Sequence, residues 1–198
     1  FLAAHLAAYS EVGVGGVAGR IVEAIPKPKT LAEGAPIGRV RRIDGRITRG
    51  FENTAEMDVD HAPGGNMSWR RKALLDAGGF DRRFGGTAHL EESDVSLRVR
   101  ALGCRIRFVP QASLTHLSLQ TGGCRELDLA TWLYWYGHNY MLFARKNLPT
   151  AAFPIFLAER LVKLLYTSVR QLRPAYLVRG VTGLLDGWRA SRRPAEGL

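Results

Sequence analysis

The chain has 198 residues, 46% of them hydrophobic and 23% charged, a composition typical of a soluble globular protein with a sizeable core. Its formal net charge of +10 indicates an anionic partner or surface, without choosing among nucleic acid, phospholipid and phosphorylated substrate. The two cysteines, Cys104 and Cys124, lack metal-ligand spacing, which argues against a secreted disulfide scaffold and favours idle or buried thiols in a reducing compartment.

The first residues predict a helix over 1–9, because Leu2, Leu6 and Tyr9 recur at helical spacing. This opening has neither an initiator Met nor the pattern of a signal peptide, so we expect the chain to be a piece of a longer protein. Every apolar run is well short of the roughly 20 residues that a membrane-spanning helix needs.

Strands and helices are mixed up to about residue 116, and only helices follow. We predict strand over 12–24 with breaks at Gly15-Gly16 and Gly19, and then loop with short strands over 25–56. Next come a helix over 70–77 ended by Gly78-Gly79, a helix over 91–102 ended by Gly103, a strand "CRIRFVP" ended by Pro110, and short strand or loop to His116. The remaining predicted elements are helices over 127–147, 153–171 and 174–190. This order predicts an α/β domain over 1–125 with a helical extension over 126–198.

The stretch "HLEESDVSL" at 89–97 puts three carboxylates at the start of a predicted helix. Acids in a first helical turn are expected from the helix dipole alone, and Thr87 is a candidate cap. This reading accounts for Glu91. Asp94 is spaced to pair with Arg98 one turn later.

The helical register separates Glu92 from the other acids. Glu92 falls at the inward edge of an apolar stripe, and a carboxylate there could accept a proton in a cleft. The stripe consists of Val95, Val99 and Leu102, and the residues expected to face outward are Ser93, Ser96 and Arg100.

A second candidate segment is "PGGNMSWRR" at 63–71. Gly64-Gly65 permits close backbone approach or positive φ, and Asn66 offers both a donor and an acceptor. Ser68 could cap the following helix. A plain turn before a capped helix explains the segment equally well.

Together these segments resemble a known family. "PGGNMSWRRKALLDAGGFDRRFGG" followed by "EESDVSLRVRALGCRIRFVPQASLTH" looks like the second half of the GT-A catalytic domain of family 2 glycosyltransferases, across roughly residues 12–116. The resemblance implies a partial GT-A mixed sheet, the fold of nucleotide-diphospho-sugar transferases. "WLYWYGHNYMLFARKNLP" is similar to the helix that follows the family's core, with His138-Asn139 at its Arg/His-Asn position.

The resemblance also implies roles for particular residues. The family's catalytic base falls on Glu91-Glu92, where Glu stands in place of the commoner Asp; the choice between them stays open, and the register favours Glu92. Asp94 matches a second acid that organises the acceptor pocket. The turn beside donor sugar and acceptor corresponds to Gly64, Gly65, Asn66 and Met67, and the metal-binding His corresponds to His116.

The implied reaction is an inverting displacement at the anomeric carbon of a nucleotide-diphospho-sugar. A carboxylate takes the proton of the acceptor hydroxyl, while Mg²⁺ or Mn²⁺ neutralises the departing diphosphate. The acceptor would be a glycan or a lipid-linked molecule in envelope or surface polysaccharide synthesis. The expected location is the cytoplasm, with the protein attached peripherally to the inner face of the membrane.

The family's metal-binding Asp-x-Asp motif ends an apolar strand, which we expect upstream of this chain. Asp58-Val59-Asp60 imitates the motif but follows the polar "ENTAE"; we expect Asp58 to face solvent and Asp60 to lie at most at a pocket edge. Without the nucleotide-binding half, this chain alone is expected to be inactive.

The C-terminal helices are basic and amphipathic. Their composition is typical of a helix in an anionic membrane interface, and helices packed on their own domain with a solvated basic face explain it equally well. From residue 160 to 193 the basic residues are Arg160, Lys163, Arg170, Arg173, Arg179, Arg189, Arg192 and Arg193, against the single acid Asp186.

Two other classes of function compete with the transferase. A nucleic-acid-binding module is disfavoured, because the basic residues are dispersed and no recognised nucleic-acid-binding motif accompanies them. A non-catalytic, membrane-interacting remnant of a transferase is the other alternative.

Overall fold

The structure, a computed structural model, describes residues 1–25, 36–118 and 128–195. Its elements in chain order are α1 (Leu2–Ala8), β1 (Val14–Glu23), β2 (Met57–Val59), β3 (Met67–Trp69), α2 (Arg71–Asp76), α3 (Glu91–Ala101), β4 (Arg105–His116), α4 (Leu129–Asn147), a 3-10 turn (Thr150–Ala152), α5 (Phe153–Arg170) and α6 (Pro174–Ala190). The predicted boundary near residue 125 lies outside the described residues, as do Cys124, Pro26 and Pro28. Cys104 is a free, half-buried thiol beside the core.

The sheet has four strands in the order β2-β4-β1-β3. The two long central strands, β1 and β4, run parallel, and the short β2 and β3 pair antiparallel at the edges. The expected α/β class with a mixed sheet is therefore confirmed at this level. The described part of 25–56 is mostly loop, as expected, with one isolated bridge between Val40 and Ile47.

Two strand predictions need correction. Glycines do not divide β1 into two strands, although its register with β4 shifts between Val14 and Gly16 and again after Gly19. Pro110 does not end β4, because the strand bulges there: Gly19 pairs with Val109, but the next residue, Arg20, pairs with Ser113. A bulge leaves residues without ladder partners, so the missing N–H of Pro110 costs no hydrogen bond.

The helix α3 lies between the sheet and α4, and this enclosure overturns part of its predicted register. Val95 and Val99 are fully buried against the sheet, as expected, but Ser93 and Ser96 are also fully buried, while Leu102 is 49% exposed. A helix packed on two sides has no single apolar stripe. Thr87 is not its cap; the N-cap is Leu90.

The helices α4, α5 and α6 form a layer with their own core around Leu133, Phe156 and Leu164. Their bounds match the predictions closely, since Pro at the first turn of α5 and of α6 marks each start. Within the part of the chain that the structure describes, no helix is both long and apolar enough to cross a membrane.

Glycines bring α4 and α6 into backbone contact. A Cβ at Gly183 would lie 2.0 Å from the carbonyl oxygen of Tyr134, and one at Gly187 would lie 2.2 Å from that of His138. Since real Cβ atoms do not approach so closely, each glycine is required by the spacing of the two helices.

We predict that Gly187→Ala destabilises the protein by about 1–3 kcal/mol through overpacking, although Ala in an open helix would gain about 1 kcal/mol over Gly. Urea unfolding measures the difference. Gly65→Ala is the control, because its Cβ would meet only Ile21, at 3.9 Å. Equal stability of the Gly187 variant and wild type would contradict the close packing.

Candidate functional site

The candidate site lies at the carboxyl edge of the parallel pair β1 and β4. Glu23 ends β1 and His116 ends β4, and the two are register partners. The 63–66 turn lies near this edge, since a Cβ at Gly65 would lie 3.9 Å from the side chain of Ile21, two residues before Glu23. The carboxyl ends of parallel strands are where open α/β sheets bind ligands.

Asn66 fixes the turn to the sheet. Its amide nitrogen donates to the carbonyl oxygens of Arg20 and Ala112, both at 2.8 Å, and its Oδ1 accepts from His5 Nε2 at 2.9 Å. Because the side chain is buried and paired at both ends, it positions the turn from beneath. A Cβ at Gly19 would collide with this amide at 2.4 Å.

The rest of the segment divides between sheet and surface. Gly64 and Gly65 are exposed, and neither has positive φ. Met67 lies in β3, half-buried against the core. Ser68 is not a helix cap: it lies in β3, and its hydroxyl bonds to His5 Nδ1 and to the Tyr9 hydroxyl.

Glu92 stands at the start of α3, facing Gly64. A Cβ on Gly64 would lie 3.9 Å from the Glu92 carboxyl carbon, in ordinary contact. Glu92 is half-buried, and burial raises the pKa of its carboxyl, which the positive charge of Arg49 opposes. A carboxylate with a raised pKa beside an open turn can accept a proton from a bound hydroxyl.

Three residues with no assigned role lie around Glu92: Arg49, His61 and His89. His61 is buried; its Nε2 donates to the Thr48 carbonyl oxygen at 3.0 Å, and its Nδ1 lies 3.3 Å from Ser93 Oγ. His61 therefore joins the 36–56 loop to α3. Burial lowers the pKa of His61, which favours its neutral form. This link holds Arg49 near the first turn of α3.

His89 is the more strongly perturbed imidazole. Burial lowers its pKa to about 3, and the charges of Arg49, Lys163 and Arg160 act in the same direction. Its ring lies 5.5 Å from that of Tyr140. His89 is therefore neutral at physiological pH and stands among cations.

The backbone before α3 is strained. Ala88 and Leu90, on either side of His89, have φ of 51° and 78°, a region that non-glycine residues rarely adopt. Leu90 is held there because its side chain is buried among Phe84, Leu97 and Phe143. This backbone conformation sets the direction in which the His89 side chain points.

The other two acids of the helix differ in environment. Asp94 is fully buried and pairs with Arg98 and with Lys146, each at 2.8 Å, while Asn147 donates to it at 2.9 Å. The predicted Asp94–Arg98 pair is confirmed. Glu91 is half-buried, and burial raises the pKa of its carboxyl too.

Among the described residues, His116 has one carboxylate neighbour, Glu23. Its Nδ1 lies 3.1 Å from Glu23 Oε2 and 3.2 Å from Ser118 Oγ. Within residues 1–25, 36–118 and 128–195, no three His, Cys, Asp or Glu side chains come together as a metal site. One imidazole and one carboxylate suit Mg²⁺ or Mn²⁺ only if the ligand supplies further oxygens, as a diphosphate does.

Asp58 and Asp60 both interact with residues outside the 63–66 turn. Asp58 is half exposed on β2 and pairs with Arg105 and Arg107. Asp60 accepts from the backbone N–H of Val40 at 2.9 Å and pairs with Arg100. Both carboxylates thus have structural partners.

The chain matches no protein-family model, and no curated protein matches it.

We predict that Glu92→Gln raises the unfolding temperature at pH 7. A carboxyl whose folded-state pKa is raised destabilises the fold above that pKa, and the effect disappears as pH falls through the folded pKa toward the ordinary value of 4.5. Thermal unfolding from pH 4 to pH 8 measures this, with the exposed Glu52→Gln as control. A constant difference across the range would contradict the burial argument.

Proposed function

We propose that this chain forms the acceptor side of an inverting glycosyltransferase of family 2, with a GT-A fold. The observation that carries the proposal is the pairing of Glu92 with the open Gly64-Gly65 turn at the carboxyl edge of β1 and β4. The order of sequence segments that resembles the family supports it. Donor and acceptor would be a nucleotide-diphospho-sugar and a glycan or lipid-linked hydroxyl.

Glu92 is the proposed catalytic base. An acceptor hydroxyl over Gly64 would hydrogen-bond to the carboxylate, which takes the proton as the oxygen attacks the anomeric carbon. Partial burial makes the carboxylate a better proton acceptor. Gly64 leaves the space beside Glu92 open, because a Cβ there would already be in van der Waals contact with the carboxyl carbon. Asp94, fully paired, is proposed to position the helix that carries Glu92.

His116 and Glu23 are the proposed metal-side residues. A divalent cation bound there would neutralise the negative charge of the leaving diphosphate. The exposed imidazole and the carboxylate lie within hydrogen-bond distance of each other, so they are adjacent at the carboxyl end of β1 and β4.

We predict that Glu92→Gln lowers sugar transfer by about 10²–10⁴-fold, the range for loss of a general base. The assay uses the polypeptide as it is synthesised in the cell, a panel of nucleotide sugars and Mn²⁺. In the wild type the acid limb of the pH profile should lie above 4.5, the ordinary carboxyl value, because burial raises the pKa of Glu92.

Glu91→Gln is the matched control, one residue away in the same helical turn, and should keep activity within a few-fold. The reverse pattern would move the base to Glu91. No transfer with any donor, together with salt-sensitive binding of DNA, would replace the proposal by the nucleic-acid alternative.

A second proposed property, binding to an anionic membrane surface, is favoured by the outer face of α5. Its inner face packs in the helical core, yet Val162, Leu165, Tyr166 and Val169 on the outer face are 51–66% exposed. Exposed cations border this face at Arg170 and beyond. A contiguous apolar surface with a basic border is typical of an interfacial helix.

We predict that the protein floats with vesicles containing phosphatidylglycerol and that Leu165→Asp/Val169→Asp abolishes flotation, because each Asp loses apolar contact and repels anionic lipid. Val12→Asp, at a site 93% exposed in the α1–β1 turn, is the control. Unchanged flotation of the double variant would contradict a role for this face.

A further inference from the structure

A cleft of about 510 Å³ lies between the 46–48 segment and helices α4 and α5. Its lining is unusual in charge, since three cations and one carboxylate share it with two tyrosines. The lining residues are Arg46, Ile47, Thr48, Tyr140, Glu159, Arg160, Val162, Lys163 and Tyr166. Neither the proposed base nor the proposed metal-side residues line this space.

Arg160 is the buried cation of the cleft. It is 5% exposed, donates to the Tyr136 hydroxyl at 2.6 Å and to Glu159 at 3.0 Å, and lies 4.4 Å from the centre of the Tyr140 ring. Its Nε is buried and has no hydrogen-bond partner among the described residues. A buried donor without a partner indicates a ligand or water that completes it.

Lys163 lies one turn further along α5. Among the residues that the structure describes, it forms no ion pair; its ammonium lies 4.3 Å from the Tyr136 ring centre. Partial desolvation and the neighbouring Arg160 lower the pKa of Lys163. Glu159 pairs with both Arg46 and Arg160, but a single carboxylate leaves the three cations of the cleft with an excess of two positive charges.

We propose that this cleft is a binding site for a phosphate monoester or diphosphate group. Arg46 and Lys163 would donate to its oxygens at the open side, over the buried charge of Arg160, as clustered guanidinium and ammonium groups do with phosphates. Thr48 offers a hydroxyl at the rim. A phosphate adds negative charge where the cations exceed the carboxylate.

The cleft lies next to His89. Tyr140 lines the cleft, and its ring lies 5.5 Å from that of His89, which precedes Glu92 by three residues in the chain. A molecule held here by its phosphate and extending past the His89 ring would approach the first turn of α3. Identification of that molecule as the sugar acceptor depends on the proposed function; binding of phosphate by the cleft does not.

The phosphate could belong to a soluble molecule or to a lipid. Val162 and Tyr166 form part of the cleft and also part of the exposed apolar face of α5. A lipid phosphate could therefore place its headgroup in the cleft and its chains along that face. The chemistry at the cleft is the same in both cases.

The test titrates the full chain with inorganic pyrophosphate by calorimetry, in the absence of any sugar donor. Lys163→Gln and Arg46→Gln should each weaken binding roughly tenfold, as expected for loss of a charge-assisted hydrogen bond. Arg71→Gln, at an exposed position on α2, removes the same charge elsewhere and should leave binding unchanged. Melting curves verify that each variant is folded.

Glu159→Gln provides the opposite expectation. It frees Arg46 and Arg160 from a competing carboxylate, so pyrophosphate should bind several-fold more tightly.

A second arm measures binding to vesicles that contain phosphatidic acid, a phosphate monoester, or phosphatidylglycerol, a diester. If Lys163→Gln weakens binding to phosphatidic acid but not to pyrophosphate, the natural ligand is a lipid phosphate. If it weakens binding to pyrophosphate only, the natural ligand is a soluble phosphate.

The inference is overturned if pyrophosphate and phosphatidic acid both fail to bind, or if Lys163→Gln and Arg71→Gln bind alike to each of these two ligands. These results would leave the transferase proposal intact, because it is tested by the Glu92 variants. Loss of transfer in Glu92→Gln with unchanged pyrophosphate binding would show the two sites to be separate in function.

Discussion

The arrangement of this molecule depends on one half-buried ammonium shared by two buried carboxylates. Lys146 of α4 pairs with Asp94 of α3 and with Asp81 in the segment before α3. Asp94 and Asp81 are 0% and 2% exposed. A second cation completes each carboxylate, Arg98 for Asp94 and Arg83 for Asp81, and these contacts hold the pKa of Asp81 well below its usual range. Removing one partner of such a pair typically costs about 3–5 kcal/mol.

This network fixes the start of α3 between the two layers. Asp94 lies half a turn after Glu92, so any movement of Asp94 would carry the proposed base with it. The segment before α3 is held from the same helix: Asn139 donates to Gly85 O at 3.0 Å, and Trp135 packs where Gly85 and Gly86 leave no room for a Cβ. The strained residues beside His89 are therefore fixed at both ends.

Much of the fold could be predicted from local sequence. Prolines and apolar spacing give the bounds of α5 and α6, and Gly103 gives the end of α3, because these signals act within one or two turns. The faces of α3 could not be predicted, since Ser93 and Ser96 are buried by contacts with residues 32 and 34 positions away. The continuation of β4 past Pro110 depends likewise on a bulge opposite β1.

The candidate site divides in the same way. Glu92 and Gly64-Gly65 are recognisable as motifs, whereas Arg49 is an ordinary Arg in a basic loop until His61 brings that loop to α3. His89 offered one signal, its position just before the acidic turn. Its pKa is lowered by burial, then by the charge of Arg49, and then by Lys163 and Arg160, which lie more than 70 positions along the chain. Long-range electrostatics leaves no local pattern in a sequence.

The helical layer is consequently part of the site's construction and more than an attachment to the α/β layer. One helix, α5, carries buried Arg160 on its inner face, Lys163 at the cleft, and the apolar Val162, Leu165 and Val169 on its outer face. Successive residues of an α-helix are rotated by about 100° around its axis, which places these side chains on different faces. The basic net charge by itself indicated only an anionic partner. In the structure, some of the basic side chains line the cleft and others border the apolar surface of α5. A molecule with both a phosphate and a hydrocarbon chain would satisfy both.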